Sequence, residues 1–202
     1  MTRESKIRWI ARPVVFLVCL APLGWIFWRA VNGDLGANPI ETVNRFLGDW
    51  AIRSLLLALA VTPLVHITGQ SVIVRFRRML GLFAFFYALL HLSNYIIADQ
   101  AFNWGDIWAD IVKRKFITMG MLNMLILIPL AVTSTKGMIR RLGGKRWRKL
   151  HRMVYFVGVG AVVHYTMMVK ADLMQPIIHG SILAVLLGYR ALRKTRRSAS
   201  AG

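Results

Sequence analysis

Histidine carries the most informative chemistry in this chain, because an imidazole can bind a metal, transfer a proton or donate a hydrogen bond. The 202 residues include five histidines, His66, His91, His151, His164 and His179, and each lies in or beside a long apolar run. An ionisable residue in such a run usually faces the interior of a helix bundle and marks a functional site. Imidazole is also a standard axial ligand of haem iron, so these histidines are candidate iron ligands.

His91 and His164 are predicted to lie at similar depth in a membrane. His91 is about 12 residues into an apolar run that begins near residue 79, which corresponds to about 18 Å along a helix. His164 is 13 residues beyond His151. That spacing places His164 about 20 Å from the inner end of its own run. Both runs are predicted to cross in the same direction, so the two side chains could be the axial ligands of one b-type haem.

His151 is predicted to lie at the inner edge of the membrane, where it could hold a second haem. Fourteen residues before His91 stands Arg77, which shares a helix face with His91 to within about 40°. Arginine is a poor iron ligand, but it could pair with a haem propionate. The inner haem would then be five-coordinate or would use another ligand, for which His66 is the candidate.

The spacing between His151 and His164 does not fit one regular helix with both histidines on the same face. Thirteen residues leave two side chains of an ideal helix about 140° apart. We therefore expect either a distorted helix, which Gly158 and Gly160 could permit, or two histidines that reach different sides of the bundle. His179, like His66, lies near a span end, where water or headgroups can satisfy it.

Long apolar runs must position these side chains. Hydrophobic residues make up 56% of the chain, and each run is close to the ~17–25 residues that a bilayer-spanning helix needs. The residues outside the runs are too few for a second globular domain. We therefore predict an all-α membrane protein, a six-transmembrane-helix bundle that forms a single domain over residues 1–202. The six runs cover residues 13–28, 50–68, 79–98, 116–133, 153–169 and 176–192.

The positive charge predicts the orientation of the bundle. The chain has 27 Lys and Arg residues and a net charge of +19. With a cytoplasmic N-terminus, 20 of the 27 fall in segments on the cytoplasmic side, and this bias favours a topology with both termini cytoplasmic. Because the charge is spread over loops between spans and forms no single patch, a nucleic-acid partner is not expected. The cytoplasmic segments are residues 1–12, 69–79, 134–152 and 190–202.

Other sequence features narrow the chemistry. Cys19 is the only cysteine, which excludes an internal disulfide and a cysteine-ligated cluster. The stretch GVGAVV at residues 158–163 follows no strand and lacks a third glycine, so it indicates close helix packing rather than nucleotide binding. In the outer loop 99–115, aromatic and apolar residues at helical spacing predict a short interfacial helix.

Three segments of the chain resemble the MsrQ (formerly YedZ) family. They are RRMLGLFAFFYALLHLSNY, TSTKGMIRRLGGKRWRKLHRMVY and GAVVHYTMMVKAD, and the resemblance extends over nearly the whole chain. Its most specific part is KRWRKLHRMVY followed by a second histidine thirteen residues after the first. Members of this family are the haem-binding membrane subunits of bacterial periplasmic methionine sulfoxide reductase systems, in the ferric reductase-like transmembrane superfamily.

The resemblance implies a multi-pass b-type cytochrome of the bacterial inner membrane, with one or two haems b. The family's histidines match His91, His151 and His164, whereas the superfamily's fourth ligand is absent and Arg77 stands in the matching region. Electrons would come from quinol and leave to MsrP, a periplasmic molybdopterin-containing enzyme that repairs methionine sulfoxide in proteins. The catalytic step would then belong to the partner, which we expect to dock on the outer loops around residues 30–49 and 99–115.

The resemblance also implies FMN binding and a cytosolic flavin reductase as electron donor, although the sequence contains no readable flavin motif. Other functions are compatible with the same histidines. A membrane metalloreductase (ferric reductase) of the same superfamily would deliver electrons to ferric iron. A non-redox transporter would use the histidines to relay protons or bind metal, but Asp99, Asp106 and Asp110 all fall in an outer loop. An assembly subunit would bind no cofactor.

Overall fold

The computed structural model describes residues 7–169 and 171–199, and these residues form helices with no strand among them. A π-helical turn (Ile7–Ala11) precedes the first α-helix, a 3-10 turn (Ser71–Phe76) leads into the third, and a second π-helical turn (Tyr95–Asp99) continues it. The α-helices of the described residues are α1 Arg12–Val31, α2 Pro39–Thr68, α3 Arg77–Asn94, α4 Trp104–Lys113, α5 Lys115–Val132, α6 Lys136–Leu142, α7 Gly144–His151, α8 Val154–Met168 and α9 Met174–Ala199.

Each of the six predicted apolar runs coincides with one long helix, namely α1, α2, α3, α5, α8 or α9. Within the described residues, four helical segments are long and apolar enough to cross a membrane. The 15 residues of α8 are fewer than the ~17–25 that a spanning helix needs, and α9 is not among the four either. The crossing count of six and the orientation of the termini therefore stay predictions. The four segments are Trp9–Val31, Pro39–Thr68, Ser71–Asp99 and Lys115–Val132.

The centre of the bundle is built by four helices. α2 packs mainly on α3, and α5 packs mainly on α8, while α3 and α5 also touch each other. α9 covers α2 and α8, and α1 lies outside, against α2 and α3. Tyr87 of α3 is fully buried and donates a 2.7 Å hydrogen bond to the Cys19 carbonyl, which joins α1 to the bundle. The main core cluster comprises Ile52, Leu55, Leu56, Leu59, Ala84, Val157, Leu183 and Leu186.

The outer surface of the helices is apolar rather than charged. Phe27 of α1, Leu125 of α5 and Val185 of α9 are each exposed over more than 60% of their surface. In water such a surface would drive association, whereas in a bilayer it is the surface that faces lipid. α4 follows the same pattern, with Trp104 and Trp108 exposed and Ile107 buried against the bundle. The predicted short helix in the outer loop is therefore present.

A break in the chain separates His151 from His164. α7 ends at His151 and α8 begins at Val154, with a turn at residues 152 and 153 between them. An irregular helix between the two histidines was one of the two expected alternatives, and the irregularity is present, but it lies at residues 152 and 153 rather than at Gly158 and Gly160. The two glycines instead face neighbouring helices: a Cβ on Gly158 would lie 3.1 Å from Leu183, and one on Gly160 would lie 2.2 Å from Asn123 Oδ1. This close helix approach is the packing that the GVGAVV stretch predicted.

Pro63 creates a second local irregularity, in α2. A proline has no N–H, so the carbonyl four residues earlier, that of Leu59, loses its helical partner. The guanidinium of Arg190 in α9 donates to this carbonyl, and it also lies over the ring of Tyr155, 5.6 Å from its centre. The contact satisfies a carbonyl that would otherwise be orphaned and ties α9 to α2.

Candidate functional site

α2, α3, α5 and α8 enclose a cavity of about 250 Å³. It lies at the end of the bundle that the predicted topology places outside, and it is here named the outer cavity. His91 from α3 and His164 from α8 face each other across it. Their ring centres are 6.2 Å apart, and the ring planes are inclined at 84°. The structure therefore brings together the two histidines that the depth calculation paired.

The two imidazoles have the same hydrogen-bonding arrangement. His91 Nδ1 lies 2.9 Å from the Asn44 carbonyl oxygen in α2, and His164 Nδ1 lies 2.6 Å from the Phe116 carbonyl oxygen in α5. Because a carbonyl oxygen can only accept, each Nδ1 must carry the ring proton. Each Nε2 then has a free lone pair, which is the form of imidazole that binds a metal.

The separation of the two rings fits a pair of ligands on one metal ion. A metal–imidazole bond is about 2.0–2.1 Å long. With ring bonds of about 1.33 Å, the nitrogen lies roughly 1.1 Å from the ring centre. Two such ligands on opposite sides of an ion therefore have ring centres about 6.3 Å apart, against the 6.2 Å observed.

The metal would have to bring its other ligands with it. Among the described residues, no three histidine, cysteine, aspartate or glutamate side chains form a group that could hold a metal ion. Two neutral imidazoles alone suit an iron that already has four equatorial nitrogens, as in haem. The outer cavity therefore fits a haem better than a bare metal ion.

The walls of the outer cavity are mostly apolar, with polar groups toward its outer end. Arg114 forms an ion pair with Asp110 at 3.0 Å, and Tyr95 donates to the same carboxylate at 3.0 Å. The side-chain oxygen of Asn44, which also lines the cavity, is buried and has no hydrogen-bond partner among the described residues. A polar group of a bound molecule could satisfy this amide.

A second cavity, the inner cavity, of about 650 Å³, contains His151 and Arg77. Leu55 and Leu127 line both cavities, so the two lie one above the other in the same bundle. No carboxylate is among the described side chains that line the inner cavity, so its charge is strongly positive and suits an anionic ligand. Its cationic side chains are Arg12, Arg75, Arg77, Arg78, Lys136, Arg148, Arg152 and Arg190.

His151 is held differently from the outer pair. Its Nε2 lies 3.0 Å from Thr133 Oγ1, and its ring stacks on Trp147 with 4.0 Å between the ring centres. The Thr133 hydroxyl donates to the Pro129 carbonyl at 2.6 Å, so it must accept from Nε2, and Nδ1 of His151 is left with the free lone pair. Burial lowers the pKa of His151, and Arg77 and Arg78 lower it further, which keeps the ring neutral at neutral pH.

The remaining histidines lie away from both cavities. His66 stacks on Tyr189 of α9 at 6.2 Å and is not among the residues lining the inner cavity. His179 is buried, and its Nδ1 bonds the Gln175 carbonyl of its own helix at 2.7 Å. Neither ring therefore lies opposite His151. The inner cavity contains Arg77 together with His151 instead.

Several contributors to the site were not anticipated from the sequence. The groups that accept hydrogen bonds from His91 and His164 are the backbone carbonyls of Asn44 and Phe116. The residue types at these positions do not indicate that their carbonyls bond a histidine. Arg190 counted only as one of many cytoplasmic charges, yet it lines the inner cavity from α9. Its isolation from the later cluster of basic residues, which begins at Arg193, was the only available hint.

Comparison with known proteins gives the family. Residues 47–162 match the model of the ferric reductase like transmembrane component, a range that includes His91 and His151 and ends just before His164. A protein of Rhodospirillum rubrum named "Protein-methionine-sulfoxide reductase heme-binding subunit MsrQ" is 56% identical over 95% of this chain and 92% of its own length. Proteins with the same name from Caulobacter vibrioides and Xanthomonas euvesicatoria are 49% and 46% identical, over 98% and 96% of this chain and 94% and 91% of their own lengths. The histidine-lined bundle is therefore that of a membrane protein, and the chain belongs to the MsrQ family within the ferric reductase-like transmembrane proteins.

Proposed function

We propose that this chain is a b-type cytochrome of the bacterial inner membrane, with six spans and both termini in the cytoplasm. It carries electrons from the quinone pool to a periplasmic molybdopterin-containing reductase, MsrP, which repairs methionine sulfoxide. The observation that carries the proposal is the pair of Nδ1-protonated imidazoles of His91 and His164, 6.2 Å apart in the outer cavity. The names of the relatives, which are called heme-binding subunits of a methionine-sulfoxide reductase, support it.

In the outer cavity, His91 and His164 would hold the haem iron through Nε2. A bound haem supplies one-electron redox chemistry, whose potential depends on the axial ligands and their hydrogen bonds. The Asn44 and Phe116 carbonyls fix the orientation and the tautomer of the two rings. Apolar residues of the four surrounding helices exclude water, and polar side chains at the outer end of the cavity can meet the propionates.

In the inner cavity, His151 is the candidate ligand of a second haem. It could bind iron through Nδ1, or through Nε2 if the hydrogen bond between Nε2 and the Thr133 hydroxyl were broken. Arg77 would pair with a propionate rather than bind iron, because its charge meets no carboxylate among the described lining residues and its contact with Thr62 Oγ1 at 3.3 Å is uncharged. The basic side chains that line the inner cavity could instead bind the phosphate of FMN. FMN is therefore the alternative ligand for this cavity. Electrons would enter here, from quinol or from a cytosolic flavin reductase.

The visible spectrum of the purified full-length protein tests the haem assignment. We expect a reducible b-type spectrum that is lost from the outer site in His91→Ala and His164→Ala. His179→Ala is the matched control, because His179 is a buried histidine outside both cavities, and this variant should keep the wild-type spectrum. A stable, colourless wild-type protein would overturn the assignment.

The electron donor and acceptor are tested with the same preparation. Addition of a quinol should reduce the haem, and a purified periplasmic methionine sulfoxide reductase should then reoxidise it. Rapid reoxidation by ferric chelates, with no response to the periplasmic enzyme, would instead indicate a metalloreductase. A haem that responds only to a flavin reductase would assign the donor to the cytosol.

A further inference from the structure

The two facing histidines share a feature of their acceptor helices. His91 donates to the carbonyl of Asn44, and the residue four positions later in α2 is Gly48. His164 donates to the carbonyl of Phe116, and the residue four positions later in α5 is Gly120. The same arrangement, histidine onto carbonyl i with glycine at i+4, therefore occurs twice on two different helices.

The geometry of an α-helix explains why glycine is needed at this position. A Cα–Cβ bond is tilted toward the helix N-terminus, so the side chain at i+4 lies over the turn that precedes it. Any side chain there would cover the carbonyl of residue i, which already accepts the N–H of residue i+4. Only its second lone pair is left for an outside donor, and a glycine leaves the approach to it open.

The distances agree with this explanation. A Cβ added to Gly48 would lie 3.2 Å from His91 Nδ1 and 3.3 Å from Cε1. A Cβ added to Gly120 would lie 3.1 Å from His164 Cε1 and 3.3 Å from Nδ1. Contacts this short force the imidazole to move by a few tenths of an ångström, and such a shift would disturb hydrogen bonds that are only 2.9 Å and 2.6 Å long.

We propose that Gly48 and Gly120 are positioning residues that let each imidazole dock on its acceptor carbonyl, and so fix the tautomer and tilt of both ligands. For haem binding, the inference rests on the proposed function of His91 and His164. A hydrogen bond from Nδ1–H to a carbonyl makes Nε2 a stronger donor to iron, and loss of such a bond typically lowers metal affinity by about 10- to 100-fold. A weaker Nε2 donor stabilises the ferric state less, so the midpoint potential should rise.

The test compares four single substitutions in the full-length, haem-loaded protein. Gly48→Ala and Gly120→Ala crowd a histidine. Gly158→Ala crowds Leu183 at the same 3.1 Å but touches no histidine, and the Cβ of Gly188→Ala meets nothing within 4 Å. In the first two we expect changed low-spin electron paramagnetic resonance g-values, a higher midpoint potential and a haem affinity lower by about 10- to 100-fold. Gly158→Ala should keep the wild-type g-values, midpoint potential and haem affinity, even if it lowers stability, and Gly188→Ala should match the wild type throughout.

A second measurement needs no haem. In haem-free protein labelled with ¹⁵N-histidine, nuclear magnetic resonance should show wild-type His91 and His164 protonated at Nδ1. Gly48→Ala should perturb the His91 signal and Gly120→Ala the His164 signal. Wild-type spectra, affinity and potential in both alanine variants would overturn the inference, and a change in one variant alone would overturn it for the other histidine. A wild-type protein with the expected tautomers but no low-spin haem signal would overturn the proposed function and leave the glycine inference standing.

Discussion

At the scale of the residue, the proton on each imidazole decides what the ring can bind. His91 and His164 give Nδ1–H to a backbone carbonyl, which leaves both Nε2 lone pairs for a common ligand. His151 gives Nε2–H to a threonine hydroxyl and is left with Nδ1. The two cavities therefore contain histidines of opposite tautomer. An iron in the outer cavity would be bound through Nε2, and one in the inner cavity would find the free lone pair on Nδ1.

A substitution of Thr133 tests whether His151 carries its ring proton on Nε2. Thr133→Val removes the hydroxyl that accepts from His151 Nε2 but keeps the backbone carbonyl that accepts from Trp147 at 2.9 Å. Because a half-buried donor loses its partner, we expect the free energy of unfolding to fall by about 1 kcal/mol, measured by thermal unfolding in detergent. The matched control is Thr166→Val, whose exposed hydroxyl bonds only a carbonyl of its own helix. Equal stability of the two variants would contradict the bond to His151.

At the scale of the element, irregular points in the helices create the contacts that shape the cavities. Pro63 frees a carbonyl that receives Arg190, and small glycines let α8 approach α5 and α9. The turn after His151 allows α7 to lie along the inner cavity while α8 takes His164 to the outer one. Pro63 and the glycines therefore create contacts between helices, and the turn after His151 lets one stretch of chain supply a histidine to each cavity.

The Pro63–Arg190 contact predicts a specific coupling between two substitutions. Arg190→Met leaves the Leu59 carbonyl without a partner and should lower the free energy of unfolding by about 1–3 kcal/mol. In a Pro63→Ala background, residue 63 regains an N–H that can bond this carbonyl, so the same substitution should cost less. A double-mutant cycle of unfolding measures the difference, and strictly additive effects would refute the contact.

The packing of α5 on α8 predicts a second coupling. Gly160→Ala places a Cβ 2.2 Å from Asn123 Oδ1, and overpacking of this kind costs about 1–3 kcal/mol. Asn123→Ala removes the obstructing amide, so the double variant should recover most of the lost stability. Gly188→Ala, which meets no neighbour within 4 Å, serves as the control in the same unfolding measurement. No recovery in the double variant would show that the cost arises elsewhere.

At the scale of the whole molecule, charge is divided between the two ends of the bundle. In the proposed topology the cytoplasmic segments contain 20 of the 27 basic residues and one of the eight acidic residues, Glu4. Four ion pairs among the described residues lie at the opposite, outer end, and these are Arg29–Asp34, Arg45–Glu41, Arg53–Asp49 and Arg114–Asp110. The outer end is thus nearly neutral, while the inner end attracts anionic lipids and anionic ligands.

The topology can be tested with single cysteines. Because Cys19 is the only cysteine, Cys19→Ser gives a cysteine-free background for Lys113→Cys and Lys145→Cys, at two exposed positions. A membrane-impermeant maleimide added to intact spheroplasts should label position 113, and it should label position 145 only after lysis. The opposite pattern would reverse the orientation, and labelling of both from one side would contradict an odd number of crossings between them.

The sequence by itself determined the elements and the sorting of the histidines by depth. Apolar runs of spanning length fixed where the long helices lie, and a rise of about 1.5 Å per residue was sufficient to pair His91 with His164. These properties depend only on local spacing, so they can be predicted without knowledge of the neighbours.

The tertiary structure decided how each side chain is used. Which nitrogen of each imidazole is free depends on the carbonyls of Asn44 and Phe116, which lie 47 and 48 residues away in sequence. The exclusion of His66 from the inner cavity and the entry of Arg190 depend in the same way on how α2 meets α9. Backbone acceptors and helix approach have no fixed signature in residue type, because they arise only when distant helices pack together.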